Sequence, residues 1–155
     1  MRERCGPAIV DLAYDGFDRA RPAPGVVEAI AQARVIIVCP SNPLSSIGPI
    51  LAVPGIRQAL SETAARVVAV SPIVGRAPVS GPAGKMMAAK GFEISALGVA
   101  AVYAGILDQL VIDDRDADLA LPLEAIGVKA LVTDSIMDGA DKENALARAV
   151  LEGFA

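Results

Sequence analysis

Apolar residues along this chain come in short blocks that recur between stretches of helical spacing. Val35-Ile36-Ile37-Val38-Cys39, Arg66-Val67-Val68-Ala69-Val70, Gln109-Leu110-Val111-Ile112-Asp113 and residues 128–132 each read as strands. The unbroken apolar character of the first predicts a strand buried on both faces. Ala8-Ile9-Val10-Asp11-Leu12 reads as a further strand near the start. Between these blocks the spacing predicts a helix opening at Pro24-Gly25, with Val26, Val27, Ile30 and Ala31 on neighbouring turns. A second runs over 56–65, with Ile56, Ala59, Leu60 and Ala64 in helical register. Further helices are predicted over 85–90, over 95–107 despite Gly98 and Gly105, over 119–126 and from Lys142 to Phe154. Residues 76–82 read as a Pro/Gly loop.

Strands that alternate with helices predict an α/β domain. The expected form is a Rossmann-like three-layer parallel sheet with flanking helices and right-handed crossovers. No glycine-rich phosphate loop follows the first strand, since neither G-x-G-x-x-G nor G-x-x-x-x-G-K-[ST] occurs. The sheet is therefore expected to be incomplete at its N-terminal side, with residues 1–155 forming the later part of one domain.

Composition narrows the chemistry. A hydrophobic fraction of 54% supplies one core, yet no apolar run is long enough to cross a membrane. The net charge of −4 and scattered basic residues argue against nucleic acid and against a basic membrane-binding helix. No apolar stretch of secretory type follows Met1-Arg2-Glu3-Arg4. Cys5 and Cys39 lie too far apart for a metal motif, so a reduced, cytoplasmic protein is expected, with Cys39 packed in the core. The chain has no His, which excludes Ser-His-Asp and Cys-His catalysis within it.

The richest segment is Pro40-Ser41-Asn42-Pro43-Leu44-Ser45-Ser46-Ile47-Gly48-Pro49, a polar corner directly after an apolar strand. Ligands of parallel α/β sheets bind at the carboxyl ends of strands. Short hydroxyl side chains and backbone N–H groups there suit an anion or nucleotide, with the Asn42 amide as donor. The same residues could instead satisfy their own turn. Ser71-Pro72-Ile73-Val74-Gly75 repeats the pattern and could form a second wall, or an ordinary turn. Lys85, after Gly81-Pro82-Ala83-Gly84, sits near a helix start where a bound anion would offset the helix dipole; Arg57 is placed alike. Both also read as solvated surface cations. The acidic run Asp113-Asp114-Arg115-Asp116 with Asp118 could hold Mg²⁺ or Ca²⁺, but reads better as a solvated loop with a capping residue. Asp134, after the last strand, lies nearest the expected ligand edge.

The run from Pro40-Ser41-Asn42-Pro43 through Ser46-Ile47-Gly48-Pro49-Ile50-Leu51 to Pro54-Gly55-Ile56-Arg57 closely resembles the CofD-like family. Val70-Ser71-Pro72-Ile73-Val74-Gly75, Gly81-Pro82, Lys85-Met86, Gly98-Val99-Ala100 with Tyr103, Ile112-Asp113 and Thr133-Asp134-Ser135-Ile136-Met137 support the resemblance. Two departures stand out. Gly84 precedes Lys85 where the family often has Asp, and Arg76 stands where a second glycine is common.

The resemblance implies a phosphorus-group transfer in deazaflavin coenzyme F-420 biosynthesis. The terminal hydroxyl of the deazaflavin Fo attacks a phosphorus of a guanosine diphosphate-activated lactate or phosphoenolpyruvate derivative. GMP leaves, and Mg²⁺ assists. It further implies that Ser41, Asn42, Pro43, Ser46, Ile47 and Gly48 contact nucleotide or Fo. Ser71 would contribute from the neighbouring corner, and Lys85 would balance phosphate charge. Metal ligands are expected in an N-terminal part that family members have and this chain lacks. No catalytic side chain is singled out, because this chemistry relies on positioning and charge neutralisation. Two other readings stay open: a non-enzymatic CofD-like regulator that binds nucleotide sugars, and an inactive truncated product that self-associates through an exposed strand edge.

Overall fold

A computed structural model describes residues 6–152. Helix α1 (Val26–Gln32) leads to strand β1 (Val35–Val38). One π-helical turn, Pro43–Ile47, continues into helix α2 (Gly48–Ala52), followed by α3 (Ile56–Glu62) and β2 (Arg66–Val70). The short strands β3 (Ile73–Val74) and β4 (Ala77–Pro78) form a hairpin. Helices α4 (Ala83–Ala89) and α5 (Ala96–Val102), strand β5 (Gln109–Ile112), a 3-10 stretch (Asp114–Leu119), α6 (Ala120–Ala125), β6 (Lys129–Val132) and α7 (Ala140–Glu152) complete the described chain.

The main sheet runs β1-β2-β5-β6, parallel throughout, with Val35 opposite Arg66, Val68 opposite Gln109, and Gln109 opposite Lys129. The period-two alternation of the strands sorts the core into two layers. Val67, Ala69, Leu110 and Ile112 face Leu51, Leu60, Met87, Val99 and Leu123 in the larger cluster. Val68, Val70 and Val111 face Leu146 and Val150 of α7 in the smaller one. Helices thus cover both faces, and the α/β three-layer architecture expected from the alternation is present.

Several local expectations change. Residues 8–12 form no strand; Val10 is 92% exposed, and no sheet strand among the described residues pairs with the segment. The segment lies against α4 instead: the Lys85 ammonium donates to the Gly6 carbonyl at 2.9 Å, and Lys90 pairs with Asp11 at 2.6 Å. Among the described residues β1 is an edge strand rather than a doubly buried one, with Ile37 43% exposed. Its inward neighbours Ile36 and Val38 pack on the larger core, while α7 leaves the Ile37 side open. Cys39 is exposed for the same reason and does not fill the core. The loop expected over 76–82 begins as the β3–β4 hairpin, whose two turn residues Gly75 (φ 58°) and Arg76 (φ 62°) take the left-handed conformation of a tight hairpin turn. Arg76 thus occupies a glycine-favouring position and pairs with Asp118. The helix expected over 95–107 closes at Tyr103, whose N–H turns back to the carbonyls of Val99 and Ala100. Cys5 and Phe154 lie outside the described residues.

Candidate functional site

Because the four strands are parallel, the segments that follow them gather at one edge of the sheet. There they enclose a cleft of about 470 Å³. Its walls are Pro40 to Asn42 with Ser45 and Ser46 after β1, Ser71 and Pro72 after β2, Val79 to Ala83 between the hairpin and α4, and Ser135 to Met137 after β6. Of the sequence-predicted residues, Ser41, Asn42, Ser46 and Ser71 line it. Pro43 is buried as the first residue of the π-helical turn, and Ile47 packs on the core. Gly48 lies where any Cβ would collide with the Tyr14 hydroxyl, itself bonded to the Leu44 carbonyl. None of these three borders the cleft. Lys85 does not border it either and directs its ammonium to the N-terminal segment.

The expectation of a backbone N–H nest is not met after β1. The Asn42 side-chain oxygen accepts from the N–H groups of Leu44 at 3.0 Å and Ser45 at 3.1 Å. Its main-chain carbonyl takes the N–H groups of Ser46 and Ile47. Asn42 is therefore an N-cap with all four donors of the turn engaged. Its amide nitrogen points to the Met86 sulfur at 3.3 Å, a weak acceptor. The hydroxyls of Ser41, Ser45 and Ser46 form no hydrogen bond among the described residues, so their protons are free to turn toward a ligand.

Ser71 differs. It is 2% exposed, and its hydroxyl donates to the Ile73 carbonyl at 2.8 Å while accepting the Ile73 N–H at 3.2 Å. The hydroxyl serves its own turn. Arg57 likewise serves structure: its guanidinium donates to the carbonyls of Val102 and Ala104 at the end of α5.

The acidic run after β5 is not a solvated loop throughout, because Asp113 and Asp116 are buried. Asp116 accepts the Gly75 N–H at 2.8 Å and ties the hairpin to the 3-10 stretch. Asp113 accepts four hydrogen bonds: the N–H and Nε–H of Arg115 on one oxygen, the N–H and hydroxyl of Ser135 on the other. Burial pushes its carboxyl up, but the backbone N–H groups of Ser135 and Arg115, then their side chains, outweigh burial and hold it below the ordinary Asp value. Asp134 does not line the cleft; hydrogen bonding from Lys142 and from the Ile136 N–H lowers its carboxyl.

Among the described residues no group of three or more His, Cys, Asp or Glu side chains is arranged to hold a metal ion. The acceptor positions of Asp113 are filled, and the buried Asp116 Oδ1, which has no hydrogen-bond partner among the described residues, is a single oxygen and does not by itself make a Mg²⁺ site. Sequence reasoning counted Ser45 among the hydroxyls of the corner without singling it out, missed Ser80, and took Ser135 only as part of a pattern. For Ser135 the available signal was a serine shortly after a parallel strand, weighed only after β1 and β2; Ser80 follows the antiparallel hairpin and carries no such signal.

The family described as 2-phospho-L-lactate transferase CofD matches residues 1–145. The 2-phospho-L-lactate transferase of Methanothermobacter thermautotrophicus is 43% identical over 151 residues, covering 97% of this chain and 48% of that protein. The phosphoenolpyruvate transferase of Streptomyces griseus is 49% identical over 138 residues, covering 88% and 43%. The chain thus spans about half the length of the curated relatives it matches. A crystal structure of a Bacillus halodurans protein of the upf0052 family superposes with a TM-score of 0.61 at 18% identity, covering 84% of this chain and 46% of that one. That likeness concerns the fold alone. Sequence identity over nearly the whole chain carries further: the chain belongs to the CofD family, that of 2-phospho-L-lactate transferase.

Proposed function

We propose that the cleft at the strand ends binds part of the substrates of a phosphorus-group transfer. In this reading a phospholactyl or phosphoenolpyruvyl group passes from a guanosine diphosphate-activated donor to the deazaflavin Fo. The Fo hydroxyl oxygen forms the new bond to phosphorus, the bond to the GMP oxygen breaks, and the hydroxyl proton is lost to a base. The observation that carries the proposal is the row of serine hydroxyls, Ser41, Ser45 and Ser46, left without partners beside the Asn42 cap in a cleft of ligand size. Neutral donors held at fixed positions can bind phosphate oxygens without a nucleophilic side chain, which suits chemistry that depends on positioning.

Relatives are named for both phospholactate and phosphoenolpyruvate, so the acyl group stays open between them. Mg²⁺ belongs to the proposal with its ligands in the portion of the relatives that this chain does not cover; no step is assigned to it here. A reduced cytoplasmic setting belongs to the same reading. No helix among the described residues is long and apolar enough to cross a membrane. Self-association, where it occurs, would use the open edge of β1 beside Ile37.

Calorimetric titration of the purified chain with Fo, and with GDP and Mg²⁺, tests the proposal. Binding of either, weakened at least tenfold by the double substitution Ser45→Ala, Ser46→Ala, is expected. A folded chain that binds neither contradicts it, and selective binding of UDP-sugars would favour the regulatory reading.

A further inference from the structure

The loop after β6 forms a wall of the cleft that offers acceptors in place of donors. Ser135 lines the cleft and is 6% exposed. Its hydroxyl proton is committed to Asp113 at 3.1 Å, and so is its N–H, also at 3.1 Å. The next N–H, that of Ile136, is taken by Asp134 at 3.2 Å. What remains on the Ser135 oxygen is lone-pair density, and the buried carboxylate behind it makes that oxygen a stronger acceptor. A phosphate oxygen placed here would find no donor from Ser135 or Ile136. An alcohol would find a partner. On the wall after β1 the polarity is opposite, since Ser41, Ser45 and Ser46 can turn their protons toward an anion.

We propose that Ser135 is a specificity-determining residue that accepts a hydrogen bond from an alcohol of the substrate. The substrate then lies with its phosphates toward Ser41, Ser45 and Ser46 and its alcohol toward the loop after β6. Asp113 acts through Ser135 as a positioning residue. The inference rests on the reading of the cleft as the substrate site and adds the direction in which the substrate lies. Two sources present this chemistry, the ribose of the guanosine nucleotide and the hydroxyl-bearing chain of Fo.

The test titrates the purified chain, as wild type, Ser135→Ala and Asp113→Asn, with pyrophosphate, GDP and Fo. Thermal melts confirm that each variant is folded. Ser135→Ala is expected to weaken GDP or Fo about tenfold, the loss of one hydrogen bond to a polarised acceptor, and to leave pyrophosphate within about twofold. Loss confined to Fo assigns the alcohol to the deazaflavin, and loss confined to GDP assigns it to the ribose. Asp113→Asn keeps one amide oxygen for the Ser135 N–H and hydroxyl but removes the carboxylate charge behind them, so a folded Asn variant is expected to weaken GDP or Fo by less than Ser135→Ala does and to leave pyrophosphate within about twofold. The inference is overturned if Ser135→Ala leaves both GDP and Fo unchanged, or weakens pyrophosphate as much as either. Wild-type chain that binds none of the three overturns the reading of the cleft and this inference with it.

Discussion

The two serine-bearing walls of the cleft use the same residue type to opposite ends. After β1, Ser41, Ser45 and Ser46 stand beside a turn whose backbone donors are already satisfied by Asn42, and their hydroxyls have nothing left to do for the fold. After β2 and β6, Ser71 and Ser135 are buried and their protons are committed, one to the Ile73 carbonyl and one to Asp113. A serine becomes available to a ligand when something else caps the turn. Where burial leaves no water to satisfy local groups, the serine itself is consumed. One wall can therefore be altered with little cost to stability, while the other cannot.

The comparison breaks most visibly at Asp113. Asp113→Ala leaves the buried donors of Ser135 unpaired and removes the anchor of Arg115, and is expected to cost about 3 kcal/mol in chemical denaturation. Protonation acts on the same residue. Its folded pKa lies below the ordinary Asp value, so its contribution to stability is present above about pH 4 and is lost as pH falls through the folded value. Stability measured from pH 6 downward should therefore decline in acid, and the decline should be shallower in a folded Asp113→Asn variant. An unchanged acid profile in that variant would remove Asp113 from the account.

Ser71→Ala comes next, at about 2 kcal/mol, because it strands a buried N–H at Ile73. A melting temperature equal to wild type would show that the turn holds without the hydroxyl. Asn42→Ala is expected to cost about 1 kcal/mol as a lost N-cap, and to weaken ligand binding as the turn frays. A variant with lowered stability but wild-type affinity would confine Asn42 to a capping role. The smallest change in stability, within about 0.5 kcal/mol, is expected for Ser45→Ala with Ser46→Ala, both exposed and unbonded. That pair should nonetheless show the clearest loss of GDP affinity, and the pairing of small stability change with large affinity change is what sharpens the contrast.

Much of the fold is legible in local pattern. The blocks 66–70, 109–112 and 129–132 appear as strands where the apolar runs put them, and their alternation assigns Val67 and Ala69 to one core layer and Val68 and Val70 to the other. The segment 8–12 has strand-like composition but no partner strand among the described residues, and backbone pairing is a tertiary property that composition does not report. β1 shows the same dependence on neighbours. Val35 to Val38 is apolar enough for a sheet interior, and among the described residues it stands at an edge with Ile37 exposed.

By itself, the sequence determined the α/β alternation, the polar corner after β1, the exclusion of His-based chemistry within these 155 residues and the family pattern spread along the chain. Each of these depends on residue type and on spacing within one or two elements. Only the tertiary structure decided which serines keep a free proton and where Lys85 and Arg57 direct their charge. Those outcomes depend on partners far along the chain: Asp113 reaches Ser135 across 22 positions, and Lys85 reaches Gly6 across 79. A hydroxyl's role is set by what lies within hydrogen-bond distance of it, and at such separations the fold alone brings those groups together.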